Sequence, residues 1–361
     1  MVSYLPDGVR QSRTRYFMRI ILLLLTLFLL PFPTSLAADA GLYTGETVVP
    51  DQSAEERRRG LPRALGNVLI KISGLRNFDE NPVVEPALRR ASSMVLSFHY
   101  RNAEVVLSDG SLLLETRLVA QFSQSEVDQL ARELELPFWR PERMPLEVWL
   151  VVDDGLDRRI MPLEYDYIRG AMSETATMRG LHVVWPESDE EGMYPVDMQL
   201  LWGGYTEDLV GRGDLGVMIL AARREGLDWG VRANLSYGSG DWAWRLQDID
   251  LQGAMTESMQ QAVDYIAGAN TIDPQDLGVW QYELKIAGIN SSRDYQRCLN
   301  FLQEISMVNQ LAVVSSDSSS VTFSLELSAS PRYLEETLAR SDVIGIDDPE
   351  DGYFLLQEGS R

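Results

Sequence analysis

The chain of 361 residues is strongly acidic, with 32 Lys and Arg against 54 Asp and Glu and a formal net charge of −22. Such a surface repels phosphate polymers, so we expect no nucleic-acid partner. The only cysteine, Cys298, excludes an intrachain disulfide bond. A content of 45% apolar and 9% aromatic residues is enough to build hydrophobic cores, and the length predicts two or three domains.

The N-terminal residues have the pattern of a secretion signal. Arginines between Arg10 and Arg19 precede the apolar run Ile20–Leu30, which is shorter than the roughly 20 residues that a membrane-spanning helix needs. Small residues follow at Ser35 and Ala37. We therefore expect a Sec-type signal peptide over residues 1–37, cleaved after Ala37 or Ala38, and a periplasmic mature protein without a membrane span. An uncleaved N-terminal anchor is the alternative.

Residues 38–140 predict an N-terminal domain of order β-α-α-β-β-α. Its helices are signalled by capping residues and by apolar positions at helical spacing, and its hairpin by alternation around a glycine turn. The predicted elements are a strand at Leu42–Val49, a helix capped by Ser53 and stopped by Gly74, a helix at Val84–Phe98, a hairpin turning at Ser108–Gly110 and a helix after Ser123.

Residues 141–272 predict a central α/β domain with an antiparallel meander. Leu146–Val152 is a buried strand, and the helix Leu163–Arg179 leads into the strand Leu181–Trp185, which indicates a parallel pair. Met198–Trp202 is predicted to be a short strand. A meander then runs from Val217 to Leu251, and a helix at Met255–Ala269 closes the domain.

The stretch VGRGDLG, Val210–Gly216, contains both a G-x-G-x-x-G pattern and an RGD tripeptide. A dinucleotide-binding loop needs a strand before the glycines and a helix after them. Here the preceding residues are polar and the following ones, from Val217, predict a strand. We therefore expect neither a cofactor nor an adhesion site, and we interpret the glycines as a tight turn.

Residues 273–361 predict a ferredoxin-like domain of order βαββαβ. Its predicted elements are strands at Val279–Ile286, Val308–Ser315, Val321–Leu327 and Tyr353–Leu356, with helices at Ser292–Ile305 and Pro331–Arg340. The whole chain is thus expected to be an α+β protein of several domains, with small mixed sheets and packed helices.

The sequence contains no recognisable catalytic or metal-binding constellation. His99 and His182 are far apart, Cys298 lies in an apolar pattern, and no G-x-S-x-G motif is present. The acidic runs Asp153–Asp157 and Asp347–Gly352 lack the spacing of a calcium loop and are interpreted as turns. We predict no catalytic, cofactor-binding or metal-binding residues and no enzymatic activity, although carboxylates brought together only by the fold are an alternative.

Aromatic residues offer the clearest candidate surface. Trp229, Trp242 and Trp244 fall on adjacent predicted strands of the meander. An aromatic cluster on a sheet can bind a sugar or a peptide, and it can equally fill a small core. The three tryptophans are therefore either a ligand-binding surface or part of a core.

Three segments resemble the DUF2066 proteins of Gram-negative bacteria. They are VVPDQSAEERRRGLPRALGNVLIKISG (Val48–Gly74), NPVVEPALRRASSMVLSFHYR (Asn81–Arg101) and LPFWRPERMPLEVWLVVDDG (Leu136–Gly155). The resemblance implies an exported protein of proteobacterial type with no established enzymatic activity.

From these observations we predict that the protein is a non-enzymatic interaction or assembly factor of the cell envelope, with an envelope protein as its partner. The alternative is a periplasmic binding module for a peptide, glycan or small ligand, using the three tryptophans of the meander.

Overall fold

The computed structural model describes residues 41–107, 111–210, 215–339, 341, 343–348 and 353–357. The predicted signal peptide and the hairpin turn Ser108–Gly110 lie outside these residues. The described helices are α1 (Ala54–Ser73), α2 (Val84–Leu88), α3 (Ala91–Met94), α4 (Gln124–Glu133), α5 (Asp166–Met178), α6 (Met198–Gly203), α7 (Leu251–Asn270), α8 (Ser292–Glu304) and α9 (Pro331–Ala339).

Helices alternate with strands that form several small mixed sheets, which confirms the predicted α+β class. The described strands are β1 (Thr44–Val48), β2 (Val95–Val106), β3 (Leu112–Phe122), β4 (Phe138–Trp139), β5 (Leu146–Asp153), β6 (Arg158–Ile160), β7 (Val183–Val184), β8 (Gly216–Glu225), β9 (Asp228–Tyr237), β10 (Gly240–Asp248), β11 (Thr271–Ile272), β12 (Leu277–Ala287), β13 (Val308–Ser316), β14 (Ser320–Ala329), β15 (Ile344–Asp348) and β16 (Tyr353–Leu356).

The N-terminal lobe, residues 42–137, packs α1 onto a sheet of order β1-β3-β2. The caps predicted for α1 are confirmed: the Ser53 side chain accepts a hydrogen bond from the Glu56 amide, and Gly74 ends α1 at φ 69°. Ser123 occupies the N-cap of α4, but its side chain makes no capping hydrogen bond. Gly45 lets the helix approach the sheet closely, because a Cβ there would lie 2.0 Å from the Ala64 carbonyl oxygen. The core between helix and sheet includes Leu61, Leu65, Val68, Leu69, Ile72, Leu118, Ala120 and Phe122.

The helix predicted at Val84–Phe98 is wrong. The segment forms the short helices α2 and α3 and then enters β2 at Val95. Ala91 and Met94 are buried, as the helical spacing required, whereas Phe98 is exposed and is paired with Ala120 of β3. Tertiary pairing with β3 therefore outweighs a helical pattern that continues by coincidence into the strand.

The central lobe, residues 138–273, is built on a sheet of order β10-β9-β8-β5-β6, with β7 paired to β5. The inner face of this sheet shares a core with α5 and α7, and residues of α6 share a smaller core with the outer face. The strand predicted at Met198–Trp202 is wrong, because this segment is α6. Asp197 caps α6 through the Gln199 amide, and Gly204 ends it in the left-handed conformation.

The C-terminal lobe, residues 274–357, has the predicted βαββαβ order with one strand more. Its sheet order is β13-β14-β12-β16-β15. The predicted last strand, Tyr353–Leu356, is preceded by β15 (Ile344–Asp348), with which it forms an antiparallel pair. Strand β16 is thereby inserted beside β12, to which it runs parallel. The additional hairpin widens the ferredoxin-like sheet at this side.

Residues from Leu42 onward form one compact unit, and the half-buried arginine Arg143 links parts of it. The Arg143 guanidinium donates hydrogen bonds to the carbonyls of Gly180 (2.8 Å), Lys71 (2.9 Å), Arg140 (3.0 Å) and Trp139 (3.1 Å). It also lies 3.7 Å from the centre of the Trp139 ring. Burial lowers the pKa of Arg143 to about 10, which leaves it cationic at neutral pH.

We predict that Arg143→Met destabilises the protein by about 2–4 kcal/mol, because buried carbonyls of two lobes lose a charged donor. Urea denaturation followed by circular dichroism measures this loss. The control is Arg89→Met, since Arg89 is exposed and has no ion pair within 4.0 Å among the described residues. Equal unfolding midpoints for the two variants would contradict the role assigned to Arg143.

We also predict that Cys298 is unreactive in the folded protein. Its side chain is fully buried in the C-terminal core, and burial raises the pKa of its thiol to about 12. Thiolate is the reactive form, so a disulfide reagent such as dithionitrobenzoate should label Cys298 only after denaturation in guanidinium chloride. Rapid stoichiometric labelling under native conditions would disprove this placement.

Candidate functional site

One edge of the N-terminal sheet is closed by side chains of α1. Alternate carbonyls of β1 accept hydrogen bonds from residues that are four positions apart on α1 and therefore share one helix face. The pairs are Lys71 Nζ with the Thr44 carbonyl (2.8 Å), Asn67 Nδ2 with the Glu46 carbonyl (2.7 Å) and Arg63 Nη2 with the Val48 carbonyl (3.2 Å). Further strand pairing at β1 would require these bonds to break.

The opposite edge, formed by β2, is open. Among the residues that the structure describes, β2 pairs with β3 on one side and with no strand on the other. The Leu107 amide bonds to the Ser111 carbonyl, so hydrogen-bonded pairs fall on odd-numbered residues of β2. Even-numbered residues direct their N–H and C=O groups outward. We call these residues the free edge: Phe98, Tyr100, Asn102, Glu104 and Val106.

Beyond the end of β1, the hairpin continues as a two-stranded arm. Val48, the last residue of β1, pairs with Arg117, so residues 102–107 and 111–116 extend past it. The end of this arm carries apolar side chains that are between 41% and 65% exposed: Val106, Leu107, Leu112, Leu113 and Leu114. Adjacent residues of a strand point to opposite faces, so the arm is apolar on both faces.

The base of the arm is held by an ion-pair network. Arg117 pairs with Glu174 of α5 at 2.7 Å, with Glu115 at 2.8 Å and with Glu46 at 3.4 Å. Burial alone would lower the pKa of Arg117, but the hydrogen bonds to Glu115 and Glu174 outweigh it and raise that pKa. The arm thus has a charged base, and its exposed apolar residues lie at the far end of its described part.

A cleft of about 1320 Å³ lies between the arm and α5. Val105, Val106 and Leu107 form part of its wall on the arm, and Tyr167 and Glu174 line it on α5. This volume exceeds that of most small-molecule pockets and is sufficient for a short polypeptide segment. The free edge, the arm and the cleft make one continuous candidate binding region.

The three predicted tryptophans are brought together on the inner face of the central sheet. Trp229 is buried and meets Tyr165 edge-on at 6.2 Å. Trp242 and Trp244 are half-buried and contact Tyr265 of α7 at 5.7 Å and 5.3 Å between ring centres. Packing against α5 and α7 occupies much of their surface, and their role as a ligand-binding surface stays a prediction.

The other candidate side chains are not assembled into a site. His99 is exposed on β2, and His182 is exposed just before β7, not buried in a strand. The acidic turn at Asp153–Asp157 is closed by ion pairs to Arg158 and Arg159. Within the described ranges, no group of three or more His, Cys, Asp and Glu is arranged to hold a metal ion. The acidic run Asp347–Gly352 lies partly outside these ranges.

The glycine-rich stretch is described only in part, because residues 211–214 lie outside the described ranges. Gly216 begins β8, so a strand and not a helix follows the glycines, as predicted. A 3₁₀ turn, Thr206–Asp208, precedes them. This context differs from the strand–loop–helix arrangement of a dinucleotide site.

The structure therefore defines an α+β protein whose N-terminal sheet has one closed and one open edge. Residues 37–140, which include this sheet, match the family model described as a domain of unknown function, DUF8605. No curated protein and no solved structure matches the chain significantly. Within the described part of the chain, no helix is long and apolar enough to cross a bilayer.

The DUF8605 match corrects the resemblance to DUF2066, which is wrong. The features that carried the resemblance include the D-Q-S helix start and the S-G helix end of Val48–Gly74. In the structure these are the N-cap Ser53 and the C-cap Gly74 of α1. Ser at an N-cap and Gly after a helix are general solutions to capping, so they do not distinguish one family from another.

Proposed function

We propose that this chain is a non-enzymatic interaction protein that binds an extended segment of a partner protein as an added strand on the free edge of β2. The observation that carries the proposal is the asymmetry of the N-terminal sheet. Side chains of α1 close the β1 edge, whereas the free edge presents backbone donors and acceptors from Phe98 to Val106. Strand addition uses such main-chain groups for affinity and neighbouring side chains for specificity.

The arm supports this proposal and describes the partner segment. An exposed apolar strand edge promotes aggregation, because it can pair with strands of other chains. Here the apolar residues Phe98 and Val106 of the free edge are 43% and 49% exposed. A partner strand paired with β2 would place its own apolar side chains directly beside them. The net charge of −22 favours partner segments with basic flanking residues.

An envelope location is part of the same proposal. Its support is the apolar run Ile20–Leu30 with the arginines that precede it, as expected for an exported protein. The partner would then be another protein of the periplasm or of a membrane surface facing it.

A second candidate function is binding of a small polar ligand on the outer face of the meander. Asn234, Asp241 and Ala243 line a cavity of about 580 Å³. The Nδ2 atom of Asn234 is buried there and has no hydrogen-bond partner among the described residues. A ligand acceptor would satisfy this donor. Strand addition is favoured because it uses several backbone groups in place of one side-chain amide.

We predict that Asn102→Pro weakens partner binding about tenfold while the fold is retained. The Asn102 N–H points away from β3, so proline removes a donor of the free edge without breaking the hairpin ladder. Chemical crosslinking in intact cells, followed by mass spectrometry, measures the effect. Wild type should give abundant crosslinks to one or two envelope proteins, and Asn102→Pro should reduce them about tenfold.

The matched control is Asn102→Ala, which changes the same side chain but keeps the N–H. Circular dichroism melts of both variants report whether the fold survives. Equal crosslinking of the two variants would contradict strand addition. Crosslinks only to a second copy of this chain would exclude a separate partner and indicate self-pairing of β2 edges.

A further inference from the structure

Arginines from strands that are distant in sequence meet on the outer face of the central sheet. Asp153 of β5 lies opposite Arg158 of β6 and Arg223 of β8 in the strand register. Arg232 of β9 lies opposite Arg245 of β10. All of these side chains lie on the face that α6 partly covers. On β5 and β8, alternate residues of the same face, such as Val151 and Ile219, contribute to the core beneath α6.

Trp202 of α6 is the centre of this arginine cluster. The guanidinium carbons of Arg158, Arg223 and Arg232 lie 3.6, 5.2 and 5.8 Å from the centre of its ring. Arg232 also donates a hydrogen bond to the Trp202 carbonyl at the end of α6. The indole and the helix end therefore hold the cations close together, at separations where like charges repel.

Carboxylates balance only part of this charge. Asp153 pairs with Arg158 at 3.1 Å and with Arg223 at 3.4 Å. Among the described residues, neither Arg232 nor Arg245 has a carboxylate within 4.0 Å, and the buried Nε atoms of Arg158 and Arg232 have no hydrogen-bond partner. Burial, followed by the charges of Arg245, Arg223 and Arg158, lowers the pKa of Arg232.

We propose that Arg158, Arg223 and Arg232 around Trp202, together with Arg245 beside Arg232, bind a phosphate group. Guanidinium groups match phosphate oxygens with paired, charge-assisted hydrogen bonds. A bound dianion would relieve the mutual repulsion of the arginines and supply acceptors for exposed donors of Arg223 and Arg245. The site is independent of the proposed strand addition, since it lies in the central lobe and recognises charge instead of a backbone edge.

Two sources of phosphate fit this chemistry: a free phosphate or small phosphoester, and the head group of an anionic lipid. The net charge of −22 repels an extended anionic surface, whereas a small anion experiences mainly the local field within about 8–10 Å. We therefore expect the free anion to bind better than a membrane.

The experiment measures both sources with the intact protein at near-physiological salt. Isothermal titration calorimetry with inorganic phosphate reports the free anion. Co-sedimentation with vesicles of phosphatidylcholine and phosphatidylglycerol, compared with vesicles of phosphatidylcholine alone, reports the head group. The test variant is Arg223→Gln with Arg245→Gln, which leaves the arginines that contact α6 most closely, Arg158 and Arg232, in place.

The control is Arg89→Gln with Arg293→Gln, which removes the same charge from exposed positions elsewhere. Binding of either probe by wild type and control, weakened about tenfold or more in the test variant, supports the site and identifies the source. Absence of binding to both probes, or equal binding by test variant and control, overturns it and leaves the cluster as packing for α6. If the double variant fails to fold by circular dichroism, Arg245→Gln alone provides the same comparison.

Discussion

The arrangement of the N-terminal half depends on how the carbonyl groups at the C-terminal end of α1 are hydrogen-bonded. The last carbonyls of a helix have no partner within it and must find donors elsewhere. Here arginines of the central lobe supply them: Arg143 binds the Lys71 carbonyl at 2.9 Å, and Arg179 binds the Gly74 carbonyl at 2.7 Å. A Cβ at Gly74 would lie 2.6 Å from that of Ala267, so α1 and α7 meet where only glycine fits. The helix is thereby fixed against the central lobe.

A fixed α1 determines which edge of the N-terminal sheet remains available. One face of the helix packs on the sheet, while Arg63, Asn67 and Lys71 reach the outer carbonyls of β1. Desolvation is the largest contribution to the pKa of the Lys71 ammonium group and lowers it. This direction is expected for a cation enclosed between a helix and a strand. Closure of β1 and exposure of the β2 edge are thus two results of one helix position.

The sequence predicts the features that depend on neighbours in the chain and fails on those that depend on distant ones. Ser53 and Gly74 identify the ends of α1 because capping is local, and alternation identifies β9 from Trp229 to Tyr237. The apolar spacing of Val84–Phe98 predicts one helix, because it does not reveal the pairing of this segment with β3. The predicted tryptophans do share a face, but Tyr265, which covers two of them, belongs to another element. The sequence does not predict the free edge, because whether a strand lies at the edge of a sheet depends on which other strands pair with it.

The arginine cluster shows the same limit for charge. A net charge of −22 argues against anionic partners, yet this value is a sum over the whole surface of the protein. Salt screens a charge within about 8–10 Å, so a small anion responds to the charges near it. In the chain, Arg158 and Arg245 are far apart, and neither belongs to a basic run. The sheet brings them to one face because β6, β5, β8, β9 and β10 are consecutive strands of it and the paired residues of neighbouring strands point to the same face. The local electrostatic potential therefore depends on strand register, and an acidic protein can present a cationic site where the register brings arginines to one face.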